Sequence, residues 1–175
     1  MSLVVMLRGV NVGGHRRFRP SLLAHELRHL DIVSIGATGT FVIRSRMTRA
    51  HARYEIAQRL PFDTEIMICT GHDVLKLVAL DYFASHPQAP DVIQFVSLLS
   101  RRPRVRPSLP LQLPADSEWA VRVLGVEGRF VIGMHRREMR AIRYLGELDR
   151  IFGIPATTRS WSTIQAIAKV LRPTE

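Results

Sequence analysis

Leu7-Arg8-Gly9-Val10-Asn11-Val12-Gly13-Gly14-His15 decides how this chain is read, because it turns an apolar N-terminal run into a glycine-rich and then arginine-rich connection. Residues 3–12 are β-rich and continuous, as expected of a strand buried in a sheet. Gly13 and Gly14 break it. The basic loop His15-Arg16-Arg17-Phe18-Arg19 leads to Pro20, which suits a first helical turn, and Leu22, Leu23, Leu27 and Leu30 then recur at helical spacing.

Downstream, Asp31 to Gly36 and Thr40 to Arg44 predict a hairpin closed through Ala37-Thr38-Gly39, where Gly39 can take positive φ. Thr48 is the expected N-cap of a helix carrying Ala52, Ile56, Ala57 and Leu60 and stopped by Pro61. Glu65 to Thr70 predicts a fourth strand, and His72 to Phe83 a helix with Val74, Leu75, Val78 and Leu80 among its apolar positions. The order is β-α-β-β-α-β with an added helix. Such split β-α-β units give an antiparallel four-stranded sheet, the ferredoxin-like arrangement.

The second half repeats this order with a worn copy. Asp91 to Leu99 is strand-like, but the prolines of Arg101-Arg102-Pro103-Arg104-Val105-Arg106-Pro107-Ser108-Leu109-Pro110 forbid the expected helix and leave an extended connection. Trp119 to Gly125 and Arg129 to His135 predict a second hairpin across Gly125-Val126-Glu127-Gly128. Residues 137–152 read as helix stopped by Gly153, Ala156 to Arg159 as the last strand, and Ser162 to Leu171 as the final helix. The expected fold class is therefore α+β: two related ferredoxin-like halves, residues 1–86 and 91–175, the second degenerate with a Pro/Arg-rich connection at 101–114.

At 175 residues and 46% hydrophobic content, the chain can build an ample core and is not a disordered polymer. No apolar run approaches the roughly 20 residues that span a bilayer, and Met1 to Leu7 lacks a signal-peptide pattern, so no membrane role and a cytoplasmic setting are expected. Cys69, the single cysteine, sits in the apolar run Ile66-Met67-Ile68-Cys69 and reads as a buried hydrophobe. The net charge of +10 attracts phosphates and acidic surfaces. Of the 25 basic residues, all but Lys76 and Lys169 are arginine, a skew that base composition alone can produce, so the charge is weak evidence for nucleic acid.

His25-Glu26-Leu27-Arg28-His29 fits the H-E-x-x-H zinc pattern, in which two histidines one helical turn apart hold the metal and the glutamate is the general base. Here the helix is short, its histidines flank a leucine stripe, and no third ligand has a recognisable offset, so a solvated helix face is the better reading and no metal or cofactor is expected. The opening glycines resemble neither G-x-x-x-x-G-K-[ST] nor G-x-G-x-x-G. A strand leading through Gly-Gly to a helix start can still aim backbone N–H groups at an anion, and the alternative is that Gly9, Gly13 and Gly14 only permit a bulge and turn. The aromatic pair of an RNA-recognition sheet is missing, since the first strand is aliphatic and the third offers Phe41 alone. Arg101, Arg102, Arg104 and Arg106, and Arg136, Arg137, Arg140 and Arg143, read as a solvated loop and helix face, although arginines at a helix start oppose its dipole and would welcome an acidic partner. In Thr157-Thr158-Arg159-Ser160-Trp161-Ser162-Thr163, Ser162 with Gln165 fits a capping box and Trp161 supplies apolar area beneath it.

With both ends described, the chain resembles the bacterial domain-of-unknown-function family numbered 1697. Leu7 to His15 is similar to the family's L-R-G-I-N-V-G-G signature, and Ala156-Thr157-Thr158-Arg159-Ser160-Trp161-Ser162-Thr163 to its A-T-T-R-N-W-N-T ending. The resemblance implies an α+β protein with related halves and assigns no activity. Ala37-Thr38-Gly39-Thr40 stands where the family has Q-S-G-N, and Ser160 and Ser162 stand where asparagines are usual. Serine for asparagine keeps capping ability. The family pattern has no H-E-x-x-H in its first helix.

The function expected is binding of a phosphate-bearing or other anionic ligand, a small molecule or a nucleic-acid backbone, through Arg8, Asn11, Gly13, Gly14, His15, Arg16, Arg17 and Arg159. Two alternatives stand beside it: an enzyme using the same arginines on a small anionic substrate, and a structural partner that forms homo-oligomers. No acid/base group can be chosen for the enzyme, as neither His15 nor His135 has an evident carboxylate partner in sequence.

Overall fold

The computed structural model describes residues 1–11, 14 and 17–173, which divide into two compact units, 1–79 with the residues from Thr163 onward, and Leu80–Ser162.

In the first unit, β1 (Leu3–Leu7), β2 (Ile32–Ile35), β3 (Thr40–Ile43) and β4 (Ile66–Thr70) form one sheet in the order β2-β3-β1-β4. Every neighbouring pair is antiparallel, the split β-α-β order expected. Leu3, Val5 and Leu7 join Phe41, Ile43, Ile66 and Ile68 in one core, while Val4, Met6, Met67 and Cys69 on the alternate positions are buried as well. Burial of both faces is why this strand reads as a continuous apolar run. It ends at Leu7, five residues before the expected Val12, because Gly9 (φ 64°) and Asn11 (φ 53°) take left-handed conformations that no strand continues through.

Helix α1 (Pro20–Glu26) starts on its proline and gives way at Leu27 (φ −96°, ψ 17°) to a 3-10 turn over Arg28–Leu30. His25 and His29 therefore do not share an α-helical turn, and among the described residues no cluster of three potential metal ligands exists. Leu23, Leu27 and Leu30 are the buried stripe; Leu22, one residue off it, is half exposed. Phe41 is fully buried in the core, out of reach of a stacking base.

Helix α2 (Arg49–Ala57) is capped as expected, the Thr48 hydroxyl accepting from the His51 N–H at 3.1 Å. Helix α3 (Gly71–Ala79) opens with a capping box in which Asp73 Oδ2 accepts from the Thr70 N–H and Thr70 Oγ1 from the Asp73 N–H, both at 3.1 Å. Partial burial raises the Asp73 pKa, but the Thr70 hydrogen bonds, with Arg49 and His72 nearby, outweigh it and hold the carboxyl below its ordinary value. A folded pKa below the unfolded one contributes stability that is fully present above the unfolded value, near 4, and is lost as pH falls through the folded one. Asp73→Ala is accordingly expected to cost about 1 kcal/mol at neutral pH, and urea titrations should show that difference shrinking as the pH falls below 4. A deficit that persists undiminished in acid would separate the cap from the carboxylate.

In the second unit, β5 (Val92–Leu99), β6 (Leu111–Leu113), β7 (Val121–Glu127), β8 (Phe130–Arg136) and β9 (Ala156–Ser160) form a five-stranded antiparallel sheet in the order β6-β7-β8-β5-β9. Without β6, the order β7-β8-β5-β9 repeats β2-β3-β1-β4 position by position. The worn helix is replaced by a proline-rich stretch whose regular part, β6, pairs along β7 as a short edge strand. The hairpin turn lies later than expected. β7 continues to Glu127 past a register shift between Val123 and Gly125, and the chain reverses at Gly128 (φ 59°).

Residues 137–152 form two helices instead of one, α4 (Met139–Gly146) and α5 (Leu148–Phe152), with Gly153 (φ 67°) as the stop. Ala141, Leu148 and Phe152 cover the sheet residues Phe95, Val121, Val123 and Val131. Helix α6 (Trp161–Leu171) begins one residue earlier than expected, so Ser162 is inside it and cannot cap it. The unit boundaries also differ from 86–91. Residues 80–86 belong with the second unit, where Tyr82 packs on Gly125, Phe83 on Trp161 and the His86 carbonyl accepts from Gln94. From Thr163 onward the last helix belongs to the first, where Leu171 lies over Gly71. No helix is long and apolar enough to cross a membrane among the described residues.

Candidate functional site

The described residues of the N-terminal signature from Leu7 to Asn11 are engaged by their own surroundings. The Leu7 N–H donates to the Gly39 carbonyl at 2.8 Å, and Arg8 pairs with Glu65, guanidinium to carboxylate at 2.7 Å. The Thr64 hydroxyl donates to the Arg8 carbonyl, and Val10 is buried. Asn11 is the latch. Its Nδ2 donates to the carbonyls of Phe18 (3.0 Å) and Ala37 (2.7 Å), while its Oδ1 accepts from the Phe18 N–H at 3.0 Å. Both amide hydrogens are therefore spent on holding the loop to itself and to the β2–β3 turn.

Gly14 (φ 79°) lies against the guanidinium of Arg17, an exposed residue. Gly13, His15 and Arg16, also expected in the site, lie outside the described residues. Arg159 belongs to the other unit. It is buried on β9, its Nη1 donating to Thr157 Oγ1 and the Thr158 carbonyl, both at 2.9 Å, and desolvation lowers its pKa to about 10. It stays charged at neutral pH. Arg8 and Asn11 thus serve ion pairing and loop closure within the first unit, and Arg159 braces the strand that carries the second family signature.

That strand leads to a cleft of about 540 Å³ in the second unit, within the range of small-molecule sites. Ala89, Pro90, Val92 and Ile93 form its apolar wall, and Gln88, Gln94, Arg137, Ser160, Trp161 and Ser162 supply the polar groups. Antiparallel pairing of β5 with β9 sets Phe95 opposite Ser160, so the chain leaves β9 beside the start of β5 and turns directly into α6. The Ser160 and Ser162 hydroxyls hydrogen-bond each other at 2.9 Å at that turn. An eleven-residue helix begins there, so its partial positive charge lies at the cleft that Ser160, Ser162 and the exposed residue Arg137 line.

Ser160, Trp161 and Ser162 belong to a motif visible in the sequence, and Arg137 to a visible basic cluster. Gln94 was legible too, as the one amide inside the apolar run Val92-Ile93-Gln94-Phe95-Val96, but nothing in sequence joins it to residues some 66 positions later.

Fold and cleft together define a mixed α+β protein of two units, each built on an antiparallel sheet. The chain belongs to the family described as protein of unknown function (DUF1697), whose model matches residues 1–123, short of the Ala156–Thr163 segment. Its fold is similar to that of SP0830, a conserved bacterial protein from Streptococcus pneumoniae, at a TM-score of 0.61 and 15% identity over 98% of each chain. No curated protein matches the chain.

Proposed function

We propose that this protein binds a small anionic, phosphate-bearing ligand in the cleft of its second unit. The observation that carries this reading is the convergence of Arg137, the Ser160–Ser162 hydroxyl pair and the first turn of α6 on one concave surface. The guanidinium offers charge-assisted hydrogen bonds, and the helix start offers N–H groups and a favourable dipole. The net charge of +10 raises the local anion concentration around such a site. The basic first loop contributes at long range only in this reading, because Arg8 is paired and the Asn11 amide is spent. We read the first unit as ferredoxin-like from its strand order, and the buried Cys69 suits a reducing, cytoplasmic setting.

Calorimetric titration with inorganic phosphate at low salt tests the reading. Arg137→Ala should weaken binding about tenfold, the loss of one charge-assisted hydrogen bond, and Arg8→Ala should leave it unchanged. Equal affinity in wild type and Arg137→Ala, or an equal loss from Arg8→Ala, would overturn the assignment.

A nucleic-acid backbone as the source of phosphate is favoured by one further feature. The guanidinium carbons of Arg122 and Arg136 lie 4.3 and 4.2 Å from the Trp119 ring centroid, a stacked pair of which Arg136 is also paired with Asp91 at 2.6 Å. Oligonucleotide binding that falls steeply with added salt would mark that source.

A further inference from the structure

We infer that the cleft takes an anion that also carries an amide-type edge, a hydrogen-bond donor beside an acceptor, as a lactam or carboxamide presents. The anionic part rests on the reading above; the edge rests on two nearly buried side chains, each with one polar atom that no described residue satisfies.

Gln94 is 8% exposed, and its Nε2 donates to the His86 carbonyl at 3.0 Å. That bond fixes the amide's orientation: nitrogen must face the carbonyl, so the other end is Oε1. Among the described residues Oε1 accepts no hydrogen bond, and no side-chain nitrogen or oxygen sealed from solvent lacks a partner. Oε1 is therefore at accessible surface, and the surface this residue lines is the cleft. Trp161 repeats the situation with the opposite polarity. It is 8% exposed, its ring meets Phe83 edge-on at 5.0 Å, and its indole N–H has no acceptor among the described residues. It also lines the cleft.

One acceptor and one donor are thus held at nearly dry positions by packing and by the His86 bond. Tryptophan N–H groups and buried amides ordinarily find partners, and leaving them unpaired when a ligand displaces water is costly. A ligand that offers both a donor and an acceptor satisfies them together. Pro90, Val92 and Ile93 provide an apolar wall for a flat body that carries the edge, and Arg137 with the α6 start takes the charge.

Uridine monophosphate carries a phosphate and a lactam edge, ribose phosphate only the phosphate, and uridine only the edge. Calorimetry on the full chain should show uridine monophosphate binding about tenfold or more tighter than ribose phosphate, as polar recognition of one edge supplies. Gln94→Leu should abolish that gain, and a circular dichroism spectrum matching wild type reports that the variant is folded. Trp161→Phe, which keeps the contact with Phe83, should remove part of the same gain. Equal affinities for uridine monophosphate and ribose phosphate would overturn the inference and leave the anion reading standing. Uridine binding as tightly as its monophosphate would instead overturn the anion reading on which the inference rests.

Discussion

Gly39→Ala should lower the unfolding free energy by about 3 kcal/mol, combining left-handed strain with overpacking. Gly39 has φ 75°, and a Cβ built on it would sit 2.7 Å from Val10 Cγ2 and 2.9 Å from Leu7 Cβ. Neither neighbour is the loose end of a long side chain. Leu7 is core, Val10 is buried, and the Leu7 N–H is bonded to the Gly39 carbonyl, so moving one strains the others. The loss is a large share of the 5–15 kcal/mol that ordinarily holds a domain together. Denaturant unfolding of wild type and variant reads it directly. A change under about 0.5 kcal/mol, typical of surface substitutions, would mean the turn yields where the packing says it cannot.

Asn11→Ala should cost about 3 kcal/mol as well, for a different reason. Three hydrogen bonds at roughly 1 kcal/mol each are lost, and alanine inherits a backbone at φ 53° that asparagine tolerates better. Asn11→Gly keeps the backbone and loses the bonds, so it should be the less damaging by about 1 kcal/mol. The pair of variants separates the two contributions. Their phosphate affinity should match wild type, because the Asn11 amide holds the loop in place of a ligand. Loss of affinity in a folded Asn11→Gly protein would return the first signature to the binding site.

These residues also mark how far sequence carries the reading. The elements were legible wherever apolar spacing and capping chemistry agreed: Thr48 caps α2, Gly153 stops α5, and the β2–β3 hairpin turns where Gly39 permits it. Element ends were less so. Val10, apolar and buried, reads as strand, yet it lies between two left-handed residues. Leu80 continues a helical pattern beyond the true end of α3 at Ala79, just before Asp81 at φ 47°. A local pattern does not register a left-handed residue unless it is glycine.

The site was legible as pieces only. Arg8 looked available because its partner, Glu65, lies 57 positions away, and Asn11 looked like a ligand contact because its acceptor at Ala37 belongs to another element. Conversely, Gln94 and Trp161 meet only through the pairing of β5 with β9, which brings Phe95 opposite Ser160. Ser162 read as a cap because the strand-to-helix junction has no connecting loop, and the helix begins one residue sooner than serine chemistry suggests.

The proposed anion site lies at the β9–α6 junction of the second unit and not at the glycine-rich first loop. Titrating inorganic phosphate into isotope-labelled protein, with backbone amide and indole resonances followed by NMR, distinguishes the two locations. The largest shifts should fall on Arg137, the Ser162 amide and the Trp161 indole N–H, with Gly9, Asn11 and Arg17 nearly stationary. The largest shifts on Gly9 to Arg17, with the β9–α6 junction unmoved, would contradict it.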